Sequence, residues 1–239
     1  MAAVELNYTD SEGTLLRGRL ALPVGKAVRA PAILIVHEAF GLLPVFVQRA
    51  ERLADMGYAA LAVDMFGDAR TATTLQDGMA LVNSVGMNSD RMLDRMQAAL
   101  TALKQQSGVD STRIGAMGYC FGGTSALKLA LGGGDVRGVV SFHGSLAVTP
   151  SPGKTISSAI LVCHGDSDPV VPIEQLNAFR ETLRQVGTRW QINIYGGAKH
   201  GFTNPEADKR GVPALGYDSV ADAASWAAMT NFYADIFRQ

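Results

Sequence analysis

Residues 112–131 read TRIGAMGYCFGGTSALKLAL, and this stretch decides the fold. It begins as an apolar run typical of a buried strand and ends with a helical composition. Between the two lies the pattern G-x-C-x-G, with Cys120 between Gly118 and Gly122. Small residues are needed at both flanks because strand and helix backbones nearly touch in such a turn. The pattern is that of a nucleophile elbow with sulfur in place of the serine oxygen, and it predicts Cys120 at a helix N-terminus, where the dipole favours a thiolate.

Similar apolar runs alternate with helical patterns along the rest of the chain. The runs expected to form strands are residues 4–9, 14–22, 31–38, 58–63, 112–118, 136–142, 158–163 and 189–195. Apolar residues at helical spacing form the stripes Leu93, Met96, Leu100 and Leu103; Ile173, Leu176, Phe179, Leu183 and Val186; and Trp226, Met229, Tyr233 and Ile236. This alternation predicts an α/β fold with a mostly parallel sheet flanked by helices. The first two runs, separated by the turn sequence DSEG, predict an antiparallel edge hairpin at the N-terminus.

No linker, repeat or low-complexity tract divides the sequence, so residues 1–239 are expected to form a single domain. Residues 66–90 are the hardest stretch to place, because threonines and glycines are scattered through them. We expect a short helix and part of a pocket rim there. The segment is too short for a cap domain, so none is expected.

The composition excludes several classes of protein. Apolar residues make up 47% and charged residues 18% of the 239 residues, which excludes a disordered chain. A net charge of −1 gives no global field for nucleic acid or an anionic membrane, so a small-molecule partner is expected. Two cysteines cannot form a disulfide framework. With no visible secretion signal and no run of 18 apolar residues, a cytoplasmic protein with reduced thiols is expected.

A cysteine nucleophile needs a base, and the base needs an orienting acid. In folds built around such an elbow, the order along the chain is nucleophile, acid, base. Only His164 and His200 leave room for that order, and His200 is favoured because it lies between glycine clusters just past the last strand. Asp166 and Asp168 compete for the acid role. We favour Asp168, which lies farther out on its loop with an extended backbone imposed by Pro169, and expect Asp166 to bond loop amides.

A developing oxyanion needs at least two amide donors. The N–H of Phe121, directly after the nucleophile, is one candidate, and the N–H of Ala39, after the first central strand, is the other. Glu38 is a carboxylate at the end of a strongly apolar strand and is expected to point into the same crevice. The His37-Glu38 pair predicts no metal site because no histidine follows at the required spacing. Thr124 stands where a phosphate-binding loop needs lysine, so no nucleotide site and no cofactor are expected.

These residues together resemble the dienelactone hydrolase family of the α/β-hydrolase fold over nearly the whole chain. The motifs that carry the resemblance are HEAFG at 37–41, DMFG at 64–67, GYCFGG at 118–123, HGDSDPVVP at 164–172 and KHGFTNP at 199–205. The resemblance implies a catalytic triad of Cys120, Asp168 and His200. It also implies that Glu38 holds the resting thiol turned inward until substrate binding releases the thiolate toward the histidine.

One feature departs from the family pattern. Members that act on dienelactone carry two arginines that bind the substrate carboxylate. Here Asn204 occupies the position four residues after His200, and residues 71–82 contain no arginine, although Arg70 and Arg91 flank them. We therefore expect neutral, partly aromatic esters. The side chains expected to line or touch the pocket are Phe40, Met65, Phe66, Tyr119, His143, Phe202 and Asn204.

The sequence thus predicts a hydrolase of carboxylic esters or lactones that uses a cysteine nucleophile, acts on small neutral esters and works as a monomer or weak homodimer. Three alternatives stay open: a true dienelactone (carboxymethylenebutenolide) hydrolase, a promiscuous hydrolase that also cleaves neutral phosphotriesters, and a non-catalytic ligand-binding or thiol-sensing module. Turnover of a nitrophenyl ester would separate the last of these from an enzyme.

Overall fold

The computed structural model describes residues 2–25 and 29–238, which contain an eight-stranded β-sheet. The strands are β1 (Val4–Thr9), β2 (Leu15–Ala21), β3 (Ala30–Val36), β4 (Ala59–Val63), β5 (Val109–Tyr119), β6 (Gly138–Phe142), β7 (Ala159–Gly165) and β8 (Trp190–Tyr195). Their order in the sheet is β1-β2-β4-β3-β5-β6-β7-β8. The pairs β1–β2 and β2–β4 are antiparallel, whereas all neighbours from β4 to β8 in that order are parallel.

Helices cover both faces of the sheet. They are α1 (Pro44–Asp55), α2 (Leu75–Val85), α3 (Asp90–Lys104), α4 (Phe121–Leu131), α5 (Ile173–Val186) and α6 (Ser219–Ile236), with a short 3₁₀ turn at Asp208–Arg210. Helices α1 and α6 share one hydrophobic core with the sheet, and α2 to α5 share the other. Every residue of α4 is buried, as expected of a helix at the centre of its layer. Within the described ranges, no helix is long and apolar enough to cross a membrane.

The predicted sheet is confirmed strand by strand, with shifted ends. β3 ends at Val36, so the two residues that follow lie beyond the strand, and β7 continues to Gly165. The uncertain segment 66–90 contains α2. Helix α1 was not predicted, although it has a proline in its first turn and buries an apolar stripe of Phe46, Ala50, Leu53 and Ala54.

The parallel strands bring the chemistry-bearing residues to one edge of the sheet. Glu38 follows β3, Cys120 directly follows β5, Asp168 follows β7 and His200 follows β8. Because parallel strands place their carboxyl ends on the same side, these four residues meet although they lie far apart in sequence.

Candidate active site

The turn from β5 into α4 has the tight geometry that the glycines predict. Cys120 has φ 53° and ψ −116°, a backbone conformation that costs about 1–3 kcal/mol for a residue with a side chain. A Cβ on Gly118 would collide with the carbonyl of Gly122, and a Cβ on Gly122 would collide with the carbonyl of Val36 at the end of β3. The close approach leaves the sulfur clear of the sheet, and Cys120 is partly exposed on a cavity wall.

A hydrogen bond joins His200 to Asp168. His200 Nδ1 lies 2.8 Å from Asp168 Oδ2 and donates to it, because an ionised carboxylate only accepts. The other oxygen, Asp168 Oδ1, accepts from the N–H groups of Val170 at 2.8 Å and Val171 at 3.0 Å, which fixes the carboxylate. The competing residue, Asp166, has an exposed side chain. The structure therefore brings Asp168 to His200. The hydrogen bonds to loop amides that were expected for Asp166 from the sequence are made by Asp168 instead.

His200 lines the same cavity wall as Cys120 and interacts with it electrostatically. Burial disfavours a charged imidazole, but the electrostatic interaction with Cys120 and the hydrogen bond to Asp168 outweigh it and raise the pKa of His200 to about 10. A protonated His200 is therefore favoured at neutral pH. Buried His143 lies edge-on to His200, with ring centroids 5.2 Å apart, and burial holds the pKa of His143 well below its usual range.

Glu38 lies on the wall of the same cavity and is almost completely buried. Burial raises the pKa of Glu38, while the Arg49 guanidinium and a hydrogen bond from Asn204 oppose that rise. Asn204 Nδ2 donates to Glu38 Oε2 at 2.9 Å. The family resemblance implies that Glu38 holds the thiol, but in this structure Glu38 is bonded to Asn204 and Cys120 faces His200.

The two predicted oxyanion donors lie on segments that pack together. Ala39 follows β3 and lines the cavity, and Phe121 is the first residue of α4, where a helix leaves its N–H groups without internal acceptors. The contact of Gly122 with the end of β3 brings these segments side by side. Within residues 2–25 and 29–238, no protein acceptor bonds to the N–H of Ala39 or Phe121. Neither N–H is therefore engaged by a protein acceptor in that part of the chain.

The cavity beside Cys120 has a volume of about 240 Å³ and an almost entirely apolar wall. Of the predicted pocket residues, Phe40 and Asn204 line it. The wall residues that sequence reasoning missed come from α2 and from the loops after β7 and β8: Leu75, Met79, Val170, Ala207, Val212 and Leu215. A wider vestibule of about 550 Å³ adjoins the cavity and shares Phe40, Leu75, Arg210 and Val212 with it.

Five predicted pocket residues do not form the wall. Phe66 packs on Phe121, Phe202 packs against His143 and Tyr195, and the side chains of Met65, Tyr119 and His143 are buried. Their backbones lie at strand ends, as expected, but their side chains turn into the layers between sheet and helices. The prediction that these side chains line the pocket is therefore wrong for Met65, Phe66, Tyr119, His143 and Phe202.

An arginine reaches the cavity, but it is neither Arg70 nor Arg91, the two that were considered from the sequence. Arg70 bonds the carbonyl groups of Phe66 and Gly67, and Arg91 bonds the Ser84 carbonyl and Glu12, both away from the site. Arg210 lines the cavity with its guanidinium 3.5 Å from the ring centroid of Phe40. Its Nε is buried without a hydrogen-bond partner in the described part of the chain. It lies in a loop with no motif, so no sequence signal indicated it.

Comparisons with known proteins agree with this geometry. A family model described as "Dienelactone hydrolase family" matches residues 16–237. A crystal structure of a dienelactone hydrolase-like promiscuous phosphotriesterase from metagenomic libraries is 38% identical, covers 98% of each chain and superimposes with a TM-score of 0.91.

Curated relatives point the same way. A putative carboxymethylenebutenolidase of Methylorubrum extorquens is 28% identical over 84% of this chain and 77% of its own. An uncharacterized protein of Caenorhabditis elegans is 37% identical over 63% of this chain and 99% of its own. With the family match spanning nearly all of the sequence, the chain belongs to the dienelactone hydrolase family, a family of carboxylic ester hydrolases with the α/β-hydrolase fold.

Proposed function

We propose that this hydrolase cleaves small carboxylic esters or lactones through a covalent intermediate on Cys120. The observation that carries the proposal is the chain of contacts at the sheet edge. Asp168 holds His200 at 2.8 Å, and His200 shares a cavity wall with a cysteine held in an elbow with φ 53°. A nucleophile beside a base that an acid orients is the arrangement that nucleophilic catalysis needs.

In the proposed first step, the Cys120 thiolate attacks the ester carbonyl carbon. The carbonyl oxygen becomes an oxyanion and accepts hydrogen bonds from the N–H groups of Ala39 and Phe121. As the carbon–oxygen bond of the ester breaks, the His200 imidazolium gives its proton to the departing alcohol. The product is a thioester on Cys120.

The second step clears the thioester. Neutral His200, held in the correct tautomer by Asp168, takes a proton from water, and the hydroxide attacks the thioester carbonyl. Collapse of the second tetrahedral intermediate releases the acid and restores the thiolate beside protonated His200. Asp168 stays ionised throughout and stabilises the imidazolium.

The cavity wall favours a substrate that is neutral near the reacting carbonyl. Apolar side chains such as Phe40, Met79 and Leu215 surround the sulfur, and an anion there would lose its hydration without a paired donor. The guanidinium of Arg210 lies flat on Phe40 at the boundary with the vestibule. A negative group could meet it only at the outer end of the site.

A second activity is favoured by one comparison. The solved phosphotriesterase is similar over the full length of the chain, and attack on a neutral phosphotriester needs the same nucleophile and oxyanion donors. We propose phosphotriester cleavage as a side activity, slower than ester hydrolysis because a phosphorylated cysteine is harder for water to clear than a thioester.

The test of the main proposal is turnover of p-nitrophenyl acetate together with mass spectrometry of the quenched enzyme. We expect multiple turnovers and an acetyl group on the peptide containing Cys120. Ester turnover with the acetyl group elsewhere would overturn the assignment of Cys120. Alkylation of the thiol by iodoacetamide with no ester turnover would instead support a thiol-sensing module.

The charge preference is tested with a neutral aryl ester and a carboxylate-bearing lactone, after correction for their intrinsic hydrolysis rates. We expect kcat/KM to favour the neutral ester by at least about tenfold. Arg210→Met should leave the neutral ester nearly unchanged, and Arg210→Lys serves as the charge-retaining control. If the lactone is the better substrate and Arg210→Met lowers its kcat/KM by roughly 10- to 150-fold, a charge-assisted contact to Arg210 governs specificity and the neutral preference is wrong.

A further inference from the structure

The peptide that joins Glu38 to Ala39 carries one of the proposed oxyanion donors. Its carbonyl oxygen accepts hydrogen bonds from His37 Nδ1 at 2.7 Å and from the N–H of Gly41 at 3.2 Å. The carbonyl and the N–H of a trans peptide point in opposite directions because the unit is planar. Holding the Glu38 carbonyl therefore determines where the Ala39 N–H points.

The ring of His37 is itself fixed at both nitrogens. His37 Nε2 accepts a hydrogen bond from the N–H of Met65 at 3.2 Å. Since Nε2 is the acceptor, the proton of the neutral ring is on Nδ1, which donates to the Glu38 carbonyl. Met65 lies in the loop after β4. The carboxylate of the preceding residue, Asp64, fixes that loop by accepting hydrogen bonds from the N–H groups of Phe66, Gly67 and Ala69.

The same ring packs near the side chain of Phe121, the residue that carries the second proposed donor. His37 is completely buried, with its ring centroid 4.6 Å from that of Phe66 and 6.2 Å from that of Phe121, and the planes of His37 and Phe121 lie within 21° of each other. Burial lowers the pKa of His37, so the ring stays neutral. His37 does not line the cavity and cannot touch a substrate there.

We infer that His37 is a positioning residue for the oxyanion site: its Nδ1–H holds the Glu38–Ala39 peptide so that the Ala39 N–H faces the developing negative charge. The inference rests on the proposed function, because it assigns a role in the same reaction. Donors stabilise a transition state best when they are oriented before the reaction begins. Without the His37 bond, the Glu38 carbonyl keeps one hydrogen bond within residues 2–25 and 29–238, the one from Gly41, and the peptide can rotate.

Two variants of similar size separate the roles of the two ring nitrogens. His37→Asn keeps an N–H donor near the Nδ1 position and loses the acceptor for Met65. His37→Gln keeps an acceptor near the Nε2 position and loses the donor to Glu38. Each variant sacrifices one buried hydrogen bond, so both should be destabilised to a similar extent, and thermal unfolding checks that both fold.

For p-nitrophenyl acetate, we expect His37→Gln to lower kcat by roughly 10- to 100-fold with KM little changed, somewhat less than the roughly 10²- to 10³-fold loss from removing an oxyanion donor. His37→Asn should stay within about threefold of the wild type, because it keeps the donor. Alkylation of Cys120 by iodoacetamide is a second readout, since substitution at a saturated carbon forms no oxyanion. Both variants should be alkylated at the wild-type rate.

Several results would overturn the inference. One is an equal loss of kcat in the two variants, and another is a loss of alkylation that parallels the loss of kcat, because either would mean that His37 only supports the fold. Unchanged kcat in His37→Gln, with a wild type that turns over the ester, would overturn this inference alone. No turnover by the wild type would overturn the proposed function itself, and this inference with it.

Discussion

The two cysteines of this chain carry the same side chain in nearly the same row of the sheet. Tyr119 of β5 pairs with Phe142 of β6, which pairs with Cys163 of β7, so Cys163 is level with the residue just before Cys120. Cys163 is completely buried, and burial raises the pKa of its thiol to about 12. Cys120 lies past the strand end, on a cavity wall that His200 also lines. A shift of one row in the sheet thus separates a buried thiol from the proposed nucleophile, because the backbone leaves strand β5 directly before Cys120.

The largest expected effect comes from replacing each of the two cysteines with alanine in turn. Cys120→Ala should lower kcat for p-nitrophenyl acetate by at least about 10³-fold, because it removes the proposed nucleophile. Cys163→Ala should leave kcat within about twofold of the wild type. Stopped-flow or steady-state release of nitrophenolate measures both. A Cys120→Ala protein with more than a tenth of wild-type activity would end the distinction between the thiols.

The two carboxylates of the loop after β7 provide the next test. Asp168→Asn should lower kcat by roughly 10²- to 10⁴-fold, because an amide can hold the imidazole in the wrong tautomer. Asp166→Asn is the matched control from the same loop and should change kcat by less than about threefold, since its side chain is exposed. The reverse ranking would show that the contact between Asp168 and His200 does not orient the base.

Glu38 sharpens the comparison through thiol reactivity. Glu38→Gln replaces a carboxylate on the same cavity wall as the sulfur with a neutral amide, which should move the pH profile of Cys120 alkylation to lower pH. The direction follows because a neighbouring carboxylate disfavours a second negative charge. The rate of iodoacetamide labelling against pH, in both proteins, is the measurement. Superimposable profiles would show that Glu38 does not act on the sulfur.

The smallest effect is expected from Cys163 and appears in stability. Cys163→Ala removes a completely buried sulfur that accepts a hydrogen bond from Tyr195 at 3.7 Å, and it should lower the free energy of unfolding by about 1–2 kcal/mol. In the native wild type, iodoacetamide should label only Cys120 at an appreciable rate. Labelling of both thiols at similar rates would contradict the assignment of Cys163 as a core residue.

The sheet could be predicted from sequence because its strands are strongly apolar runs bounded by turn residues. The inner strands β3, β4, β6 and β7 follow that pattern most clearly, whereas the edge strands β1 and β8 alternate apolar and polar residues. The alternation of strands with helices left few topologies. Helix α1 was missed because its apolar stripe, from Phe46 to Ala54, is interrupted by charged residues and preceded by no capping side chain. The ends of β3 and β7 shifted because a strand ends where its hydrogen-bond ladder ends, and composition does not record that position.

The residues of the candidate triad could be predicted because each follows a predicted strand, and the carboxyl ends of parallel strands converge. The residues that form the wall of the cavity could not be predicted in the same way. Met65, Phe66 and Phe202 lie at the expected backbone positions, but whether a side chain turns toward the cavity or the core depends on packing against helices distant in sequence. Arg210 and Leu215 come from a loop whose course over the site is determined by tertiary contacts alone.

The conformation of Cys120 also reverses an ordinary rule of protein stability. In most helices and strands, alanine is more stable than glycine, because glycine loses more freedom on folding. At φ 53° the side chain itself is the source of strain. We therefore expect Cys120→Gly to unfold at a higher temperature than Cys120→Ala, by the equivalent of about 1 kcal/mol or more. The position of the proposed nucleophile is one at which the fold would be more stable with no side chain, so stability and the proposed activity compete there at a single residue.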